Sequence, residues 1–562
     1  MDLALFAGVA LVTLAAPFEL TEPFLRLPYQ SISSLETAVL LAFALWAAAI
    51  VFSRRLPDWR TPLTLPWIVL LLAMLVASIA STVSRVNALH MTGRLAVAFG
   101  VYLLTVNGVT TRARLRAVTS LVVLIGVVVS VLAILEYLGV ATVLAWLRAF
   151  RPGVATVGAQ VRAGGPLQYP TIASMYLEVV FALGLGLLLA ELDASRSVRA
   201  AAVFLALVVI GEGITVTFTR AGLITMMSSL VFVGGSRAAS RGIDTGAVVV
   251  AVLAVAVGGF FAASRSAQST WLRFTSEGQE AWYRAAIEAP PELELPTGRN
   301  AVVPIAVTNI GRLDWDSHGD PPILVSYHWR PADGDRFVTF EGARTPLPAR
   351  VEPHASARVD VRVRPPRQPG RYRLEWDLVQ EGRLWFSTEP GAARAESRAT
   401  IVGDAVDAPA LQTLAPPLPT FRPGRLVLWR AAARMVEAHP LVGVGPDNFR
   451  LVYGSYAGLP SADPRTHSNN MYLEMLAGGG LLVGAAFAWL LWSAARTLAA
   501  SVRAPAGGAA AAGMAAAALA IALHATVDSF LSFGPTYVLF SLTLGCATAC
   551  ARGVETPLAN RV

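Results

Sequence analysis

One short stretch of the sequence combines groups that can exchange a proton with the start of a long apolar run. It reads His467-Ser-Asn-Asn-Met-Tyr-Leu-Glu474 and continues into a glycine-rich apolar segment. If a helix begins near His467, this ring shares a helix face with Asn470 and Glu474, because side chains three and four residues apart lie on one side. An imidazole, an amide and a carboxylate would then lie where a polar segment enters a membrane. The alternative is an ordinary polar helix start capped by a Ser or an Asn.

Arginines form a second set of candidate binding groups. Arg162 precedes a predicted membrane helix, Arg220 lies between two of them with almost no loop, and a predicted helix carries Arg425, Arg430 and Arg434. The planar guanidinium group binds phosphate oxygens in pairs. Arginines at the membrane surface with a nearby His therefore predict a lipid-linked phosphate or diphosphate ligand and group transfer with the His as general base. The alternatives are an Arg220 side chain that extends to the interface and a solvated face for the 425–438 helix.

The sequence contains no spacing that is typical of a metal site. Its seven His are scattered, and its two Cys, Cys546 and Cys550, lie one helical turn apart in the last apolar run. Such cysteines are most simply small apolar packing residues. The pair Gly443-x-Gly445 indicates a turn, because no strand precedes it as a dinucleotide-binding motif requires. We therefore expect neither a metal nor another cofactor.

The composition is that of a membrane protein with many spans. The chain has 562 residues, 55% of them hydrophobic, and its mean hydropathy is +0.56. Its net charge of +8 is carried by arginine and bears on topology and anionic lipid, not on nucleic acid. Apolar runs of spanning length recur about twelve times. The predicted spans are 3–20, 35–53, 66–83, 94–109, 117–138, 171–190, 199–217, 221–235, 246–264, 471–494, 508–527 and 533–550.

Arginine clusters in the short loops predict the orientation of the spans. The clusters fall on alternate loops and so on one face, which the positive-inside rule makes cytoplasmic. Both termini are then inside, and residues 151–170, 218–220 and 265–470 are outside. The clusters are Arg54, Arg55 and Arg60; Arg112, Arg114 and Arg116; Arg196 and Arg199; Arg237 and Arg241; and Arg496 and Arg503.

The long external segment contains a region with strand patterns. About seven short runs in residues 297–403 alternate with turn signals, which favours an all-β, immunoglobulin-like sandwich without the usual Cys pair. The predicted fold is therefore a mainly α, polytopic helical bundle with this sandwich inserted in its large loop. The predicted regions are 1–264 (about nine spans), 265–296 (start of the loop), 297–403 (sandwich), 404–424 (Pro-rich linker), 425–470 (helical segment bearing the site), 471–552 (about three spans) and 553–562 (cytoplasmic tail).

Three segments, taken in order, resemble the O-antigen ligase and O-antigen polymerase superfamily. They are Arg425-Leu-Val-Leu-Trp429 to Gly443-Val-Gly445, Thr219-Arg220-Ala221-Gly222, and the His467 to Glu474 stretch. The resemblance covers nearly the whole chain except 297–403. It implies an enzyme of the bacterial inner membrane that transfers a glycan from an undecaprenyl-diphosphate-linked donor at the periplasmic face. It implies a glycolipid, polysaccharide or protein acceptor, and neither a metal nor a nucleotide sugar.

The resemblance also implies roles for individual residues. Arg220 and Arg425 would hold the diphosphate, with Arg162 a third ligand and Arg430 a further candidate. His467 would activate the acceptor hydroxyl, and Asp528 would orient an Arg or the His. The remaining residues that match the motifs are Asn469, Asn470, Tyr472, Glu474, Gly443 and Gly445.

The sequence departs from the family pattern in ways that leave alternatives open. The family often has His-Asn before x-Tyr-Leu, whereas this chain has Asn469-Asn470. Either His467 is the family's histidine shifted by two residues, or Asn469 replaces it. The following glycines are also off by one, and Thr171 stands where Asn is common. Ligase, polymerase and protein O-oligosaccharyltransferase stay open, and a transporter is the more distant alternative, although no half-repeat is apparent.

Overall fold

The computed structural model describes residues 2–27, 30–54, 56–151, 153–157, 160–265, 267–275, 281–319, 321–381, 384–389, 392, 395–404, 423–459, 462–504 and 508–553. The chain divides into two compact units. The first comprises Met1–Ala155, Val161–Ser266 and Arg425–Val562, and the second comprises Thr156–Gln160 and Ala267–Gly424. Most of the predicted linker 404–424 and of the predicted tail 553–562 lies outside the described residues.

The described part of the chain contains sixteen α-helices. In chain order they are α1 (Asp2–Ala15), α2 (Ser34–Ser53), α3 (Thr64–Ala80), α4 (Arg85–Gly108), α5 (Arg112–Tyr137), α6 (Ala141–Leu147), α7 (Pro170–Asp193), α8 (Ser197–Val216), α9 (Arg220–Arg241), α10 (Thr245–Ser264), α11 (Ala267–Thr275), α12 (Arg425–Ala438), α13 (Phe449–Ala457), α14 (Met471–Arg503), α15 (Gly508–His524) and α16 (Gly534–Ala551).

The helices of the first unit agree with the predicted spans. Each of the twelve predicted runs overlaps one of these helices. Among the described residues, nine helices are long and apolar enough to cross a membrane, and α1, α3 and α15 are apolar but shorter. The prediction of a mainly helical protein with several membrane spans is therefore confirmed.

Helix α7 lies at the centre of the first unit, and small residues allow α15 to pack against it. An added Cβ on Gly186 would lie 2.8 Å from the Cα of Gly513, and one on Gly513 would lie 3.0 Å from the carbonyl oxygen of Ala182. Close backbone approach through small residues is typical of helices that associate within a membrane. This contact holds the first half of α15 against α7, and both helices contribute to the site.

Ion pairs join several of the helix ends that carry the arginine clusters. Arg116 at the start of α5 lies 3.2 Å from Glu191 near the end of α7. Arg237 near the end of α9 lies 2.7 Å from Asp193, also at the end of α7. The structure thus brings three of the predicted cytoplasmic loops to one end of the bundle. The side of the membrane that this end faces stays a prediction.

Apart from helix α11, the regular structure described in the second unit consists mainly of β-strands. The strands in chain order, including two short hairpins between helices of the first unit, are β1 (Leu25–Leu27), β2 (Gln30–Ile32), β3 (Ala155–Val157), β4 (Gln160–Arg162), β5 (Ala285–Glu288), β6 (Glu292–Pro296), β7 (Ala301–Asn309), β8 (Ile323–Pro331), β9 (Thr345–Pro346), β10 (Ser356–Val363), β11 (Gly370–Gln380), β12 (Leu384–Trp385) and β13 (Ala395–Val402).

Two sheets in the second unit share one hydrophobic core. The smaller has the antiparallel order β10-β7-β5, and the larger has the order β6-β13-β11-β8-β9 with β12 paired to β11. Alternate residues of β7, namely Val303, Ile305 and Val307, are buried in this core. Trp329 of β8 and Trp376 of β11 belong to the same core. The period-two pattern therefore has the physical basis that the sequence predicts, because alternate side chains of a strand face one side of its sheet.

The all-β character of the predicted insertion is confirmed, but its immunoglobulin-like class is not. The strands β5 and β6 precede residue 297 and still belong to the two sheets, and β6 pairs with β13 in parallel. Residues on the second face of β8 are buried as well, among them His328 and Arg330. The tryptophans Trp329, Trp376 and Trp385 are all buried, which supports a packing role for them.

Candidate active site

The candidate site centres on His467, which lies between two carboxylates. Its Nδ1 is 3.7 Å from Oδ1 of Asp447 and 3.6 Å from Oε1 of Glu474. The His467 side chain is 17% exposed, whereas those of Asp447 and Glu474 are 7% and 8% exposed. The ring is thus the accessible member of a nearly buried cluster, which suits a group that must meet a substrate.

The start of α14 differs from the sequence prediction. The helix begins at Met471 and not near His467, and Asn470 is its N-cap, with its side chain accepting from the N–H of Leu473. His467 meets Glu474 because residues 467–470 fold back over the first helical turn, where the N–H of Ser468 donates to Glu474 at 2.8 Å. Asn469 permits this reversal with a positive φ of 53°, a conformation that Asn tolerates better than most residues.

Two glycines bring the segment before Asp447 against α14. Gly443 and Gly445 have φ values of 65° and 105°, and an added Cβ on Gly443 would lie 2.5 Å from the carbonyl oxygen of Ala477. Helix α14 is interrupted at Gly480, which has non-helical dihedral angles. The N–H of Leu481 donates to Pro440 at 2.8 Å. The Gly-Val-Gly motif is therefore explained by close packing on a broken helix.

A polar network holds Asp447 in place. Asp447 has a positive φ of 61°, and its carbonyl oxygen accepts from Asn87 of α4 at 3.0 Å. The buried Asn448 donates to the Ser81 hydroxyl at 2.9 Å. Arg450 donates to Oδ2 of Asp447 at 2.9 Å. Helices α3, α4 and α13 thus fix the carboxylate that faces His467.

The surroundings of His467 change its pKa in two opposite directions. Burial is the largest single effect and lowers the pKa of the imidazole, and the charge of Arg450 also lowers it. The nearby carboxylate of Glu474 and the charge of Asp447 together outweigh these effects, so the pKa of His467 is raised above its ordinary value. The two carboxylates thus stabilise an imidazolium ion at this position.

The same three side chains have the composition of a possible cation site. One ligand atom from each of Asp447, His467 and Glu474 lies within 4.8 Å of the others. Among the described residues, these three are the group of carboxylates and histidines that lies close enough together to hold a metal ion. The sequence did not predict a metal site at this position. The guanidinium of Arg450 on Asp447 and a protonated His467 would balance the two carboxylates without a metal.

Arg162 is placed beside the turn that precedes Arg220. Its Nε donates to the carbonyl oxygen of Thr217 at 3.1 Å, and its Nη2 donates to the Thr219 hydroxyl at 3.0 Å. Arg220 directly follows Thr219 and is the first residue of α9. The hydrogen bonds of Arg162 therefore connect the segments that carry two predicted diphosphate ligands, Arg162 and Arg220. The loop that carries Arg162 is itself anchored, because the buried Glu136 at the end of α5 accepts from the next two glycine N–H groups at 3.0 and 2.9 Å.

A second histidine lies beneath this region. The Nδ1 atom of His524 is 2.8 Å from Oε2 of Glu178, and the hydroxyl of Thr225 donates to the same oxygen at 2.6 Å. His524 and Glu178 are 1% and 0% exposed. The charges of Arg425 and Asp528 act on the His524 ring. The pair therefore joins α7, α9 and α15.

The remaining predicted residues have other surroundings. Arg430 is exposed on α12, as the solvated-face alternative expects. The half-buried Asp528 accepts from the N–H of Ser529, and the carboxylates beside His467 are Asp447 and Glu474. Tyr472 donates to the carbonyl oxygen of Ala522 at 3.0 Å. The role predicted for Asp528, orienting an Arg or the His, stays a prediction.

Sequence reasoning missed Asp447, Glu178 and His524 as members of these clusters. Asp447 follows the Gly-Val-Gly-Pro run, so a carboxylate after a glycine turn was the available signal. Glu178 is a carboxylate within a predicted span, and such residues usually have a partner inside the bundle. That general rule identifies Glu178 as a candidate, although it does not identify His524 as its partner.

Comparison with known proteins gives one informative match. Residues 410–488 match a family model described as O-Antigen ligase. This range includes Arg425, both glycines of the Gly-Val-Gly motif, Asp447, His467 and Glu474. The match supports the ligase and polymerase superfamily and a transferase-type enzyme. No curated protein matches the chain.

A comparison with solved structures gives no usable likeness. One match is the Pseudomonas fluorescens alkylpurine DNA glycosylase AlkC bound to DNA containing an abasic site analog. It is 12% identical, and the alignment covers 60% of this chain and 97% of that one with a TM-score of 0.14. A score this low carries no argument about fold or function.

Proposed function

We propose that this protein is a membrane glycosyltransferase that acts as an O-antigen ligase-like enzyme. It would transfer a glycan from an undecaprenyl-diphosphate-linked donor to an acceptor hydroxyl at the periplasmic face of a bacterial inner membrane. The observation that carries the proposal is the accessible His467 ring between Asp447 and Glu474, within the segment that matches the O-antigen ligase model. Both termini are cytoplasmic in this proposal, and the inserted β unit is a sandwich of immunoglobulin-like class.

His467 acts as the general base in this scheme. Its Nδ1 faces the two carboxylates, which favour the tautomer with a proton on Nδ1 and leave Nε2 to accept a proton. Nε2 removes the proton of the acceptor hydroxyl as the oxygen attacks the anomeric carbon of the donor. The new carbon–oxygen bond forms while the bond to the diphosphate oxygen breaks, and the imidazolium is stabilised by Asp447 and Glu474.

Arginines stabilise the charge that develops on the leaving diphosphate. Fixed cationic donors at a developing charge lower the barrier, because they need no reorganisation during the reaction. Arg162 and Arg220 lie on segments joined by hydrogen bonds. The charge of Arg425 acts on the His524 ring. The carbonyl oxygen of the next residue, Ala525, accepts from the N–H of Met471 at 2.8 Å. The backbone thus connects the start of α14, next to the His467 segment, to the residue that follows His524.

The reaction proceeds without a metal in this proposal. A diphosphate is already a good leaving group, and the arginines supply the positive charge that a metal would otherwise supply. Arg450 offsets part of the charge of Asp447, and the ring of His467 offsets the rest of the cluster's charge once it has accepted the proton. Polymerase and protein O-oligosaccharyltransferase use the same chemistry with other acceptors, so they remain alternatives, and a transporter of lipid-linked substrate is the more distant one.

The test follows release of undecaprenyl diphosphate from an undecaprenyl-diphosphate-linked glycan, with cell-envelope acceptor and with or without EDTA. We expect the wild type to release it in EDTA, and His467→Ala and Arg220→Ala to remain folded without releasing it. His318→Ala is the matched control, because that side chain is 87% exposed on the β unit. Loss of wild-type activity in EDTA would contradict the metal-free step. Binding of the lipid without release would favour the transporter.

A further inference from the structure

A cavity in the first unit lies next to the His467 cluster and has no role in the steps above. Its volume is about 160 Å³, roughly ten times the space that one water needs. The lining side chains come from five separate segments of the chain. They include Glu19, Glu36, Arg94, Gln168, Phe533 and Tyr537.

Two contacts connect this cavity to the proposed base. The ring of Phe533 lines the cavity and meets the His467 ring edge to face, with centroids 6.0 Å apart. Ser532 lines both this cavity and a smaller adjoining one that is bounded by Asp447 and Glu474. Phe533 and Ser532 thus form the wall that the cavity shares with the His467 cluster, and a group bound in the cavity lies beside this wall.

The lining combines hydrogen-bonding groups with apolar surfaces. The carboxyls of Glu19 and Glu36 share the cavity with one guanidinium, that of Arg94, and Gln168 adds an amide. The Glu36 carboxyl is held in place, because it accepts from the N–H of Ser33 at 2.8 Å. Apolar faces are added by Phe533, Pro166 and Pro535. A cavity with two carboxyls and one cation disfavours a further anion, because like charges repel.

We infer that this cavity binds an uncharged, hydroxyl-rich sugar unit of the acceptor and presents its hydroxyl to His467. Carboxyls suit sugar hydroxyls, and apolar rings suit the C–H face of a pyranose. Two carboxyls beside one guanidinium disfavour the donor diphosphate and phosphorylated or acidic sugars. The assignment to the acceptor rests on the proposed function, whereas the binding of a sugar does not.

The first experiment measures binding without turnover. The full chain in phospholipid nanodiscs is tested by saturation-transfer NMR with methyl glucoside, the methyl glycoside of N-acetylglucosamine and methyl glucuronide. Nanodiscs are needed because glycoside detergents would themselves occupy a sugar site. We expect transfer to the two neutral sugars, little to the glucuronide, and a loss of transfer in Glu19→Gln. Glu22→Gln is the matched control, since its side chain is 78% exposed outside the cavity.

The second experiment separates acceptor from donor. In the undecaprenyl diphosphate assay, Glu19→Gln should raise the acceptor KM about tenfold, the usual cost of a lost charged hydrogen bond, and leave the donor KM within about twofold. No transfer to any sugar, equal transfer to glucuronide, or a raised donor KM would each overturn the inference. If the wild type shows no turnover with any acceptor, the proposed function fails, and the NMR result still decides whether the cavity binds sugar.

Discussion

Two histidines of the first unit are paired with carboxylates, and the two pairs differ in distance and exposure. His524 is 1% exposed, and its Nδ1 is 2.8 Å from Glu178, which also accepts from Thr225. His467 lies on a loop, is 17% exposed, and is 3.6 Å or more from both of its carboxylates. A short hydrogen bond in a closed interior fixes helices against each other. A looser pair at an accessible ring leaves the ring able to exchange a proton with a substrate.

The largest expected effect is on the rate of His467→Gln. Loss of a general base costs about 10²- to 10⁴-fold in turnover. We expect an unfolding temperature close to that of the wild type, because the ring is partly exposed and lies 3.6 Å or more from both carboxylates. Release of undecaprenyl diphosphate and thermal unfolding in nanodiscs measure the two quantities. If the variant kept most of its turnover, His467 would not be the general base. Asn469 would then stand in the place of the family's histidine, which is the alternative that the family pattern leaves open.

The complementary change, Glu178→Ala, should act on stability. Removal of Glu178 leaves the Nδ1 of His524 and the hydroxyl of Thr225 buried without their partner, and each buried polar group that loses its hydrogen bond costs about 1–3 kcal/mol. Thermal unfolding measures this loss, and Glu178→Gln is the milder comparison, since its amide oxygen still accepts from Thr225. If Glu178→Gln kept its stability and lost only turnover, the pair would belong to the chemistry and the contrast between the two histidines would fail.

The segment that presents Asp447 to His467 can be tested through Gly443. An alanine there would combine an unfavourable positive φ with a Cβ 2.5 Å from the Ala477 carbonyl oxygen, so we expect a loss of about 2 kcal/mol and lower turnover. Gly458→Ala is the matched control, because Gly458 has a φ of 69° and its added Cβ would meet open space among the described residues. Equal losses in both variants would show that only the backbone angle matters.

The sequence predicts what depends on local pattern. Apolar runs identified twelve helices of the first unit, because a membrane span needs a long run of apolar residues and satisfies its backbone groups within one helix. Period-two alternation identified the β unit, because alternate side chains of a strand face the core. The pattern missed β5 and β6, which have four and five residues, and the partner of β6 is the distant strand β13.

The site was predicted less completely because its contacts are distant in sequence. His467 and Glu474 were found together since both lie in one short stretch, although the helix that begins there starts later than predicted. Asp447 reaches His467 only after Gly443 and Gly445 pack against the break in α14. The partners of the second pair, Glu178 on α7 and the histidine that ends α15, are 346 residues apart, and no local spacing connects them.

The smallest expected effect is a change in pH dependence caused by Glu474→Gln. Turnover requires the neutral His467 ring, so the rate should fall as pH decreases through the pKa of His467. In the wild type this fall occurs above the ordinary pKa of a His, because Glu474 and Asp447 together outweigh burial and Arg450. With Glu474 neutralised, burial and Arg450 oppose Asp447 alone, and the acid limb of the profile should move to lower pH. Glu437→Gln on the exposed face of α12 is the control, and an unchanged limb in Glu474→Gln would mean that the titrating group is not His467.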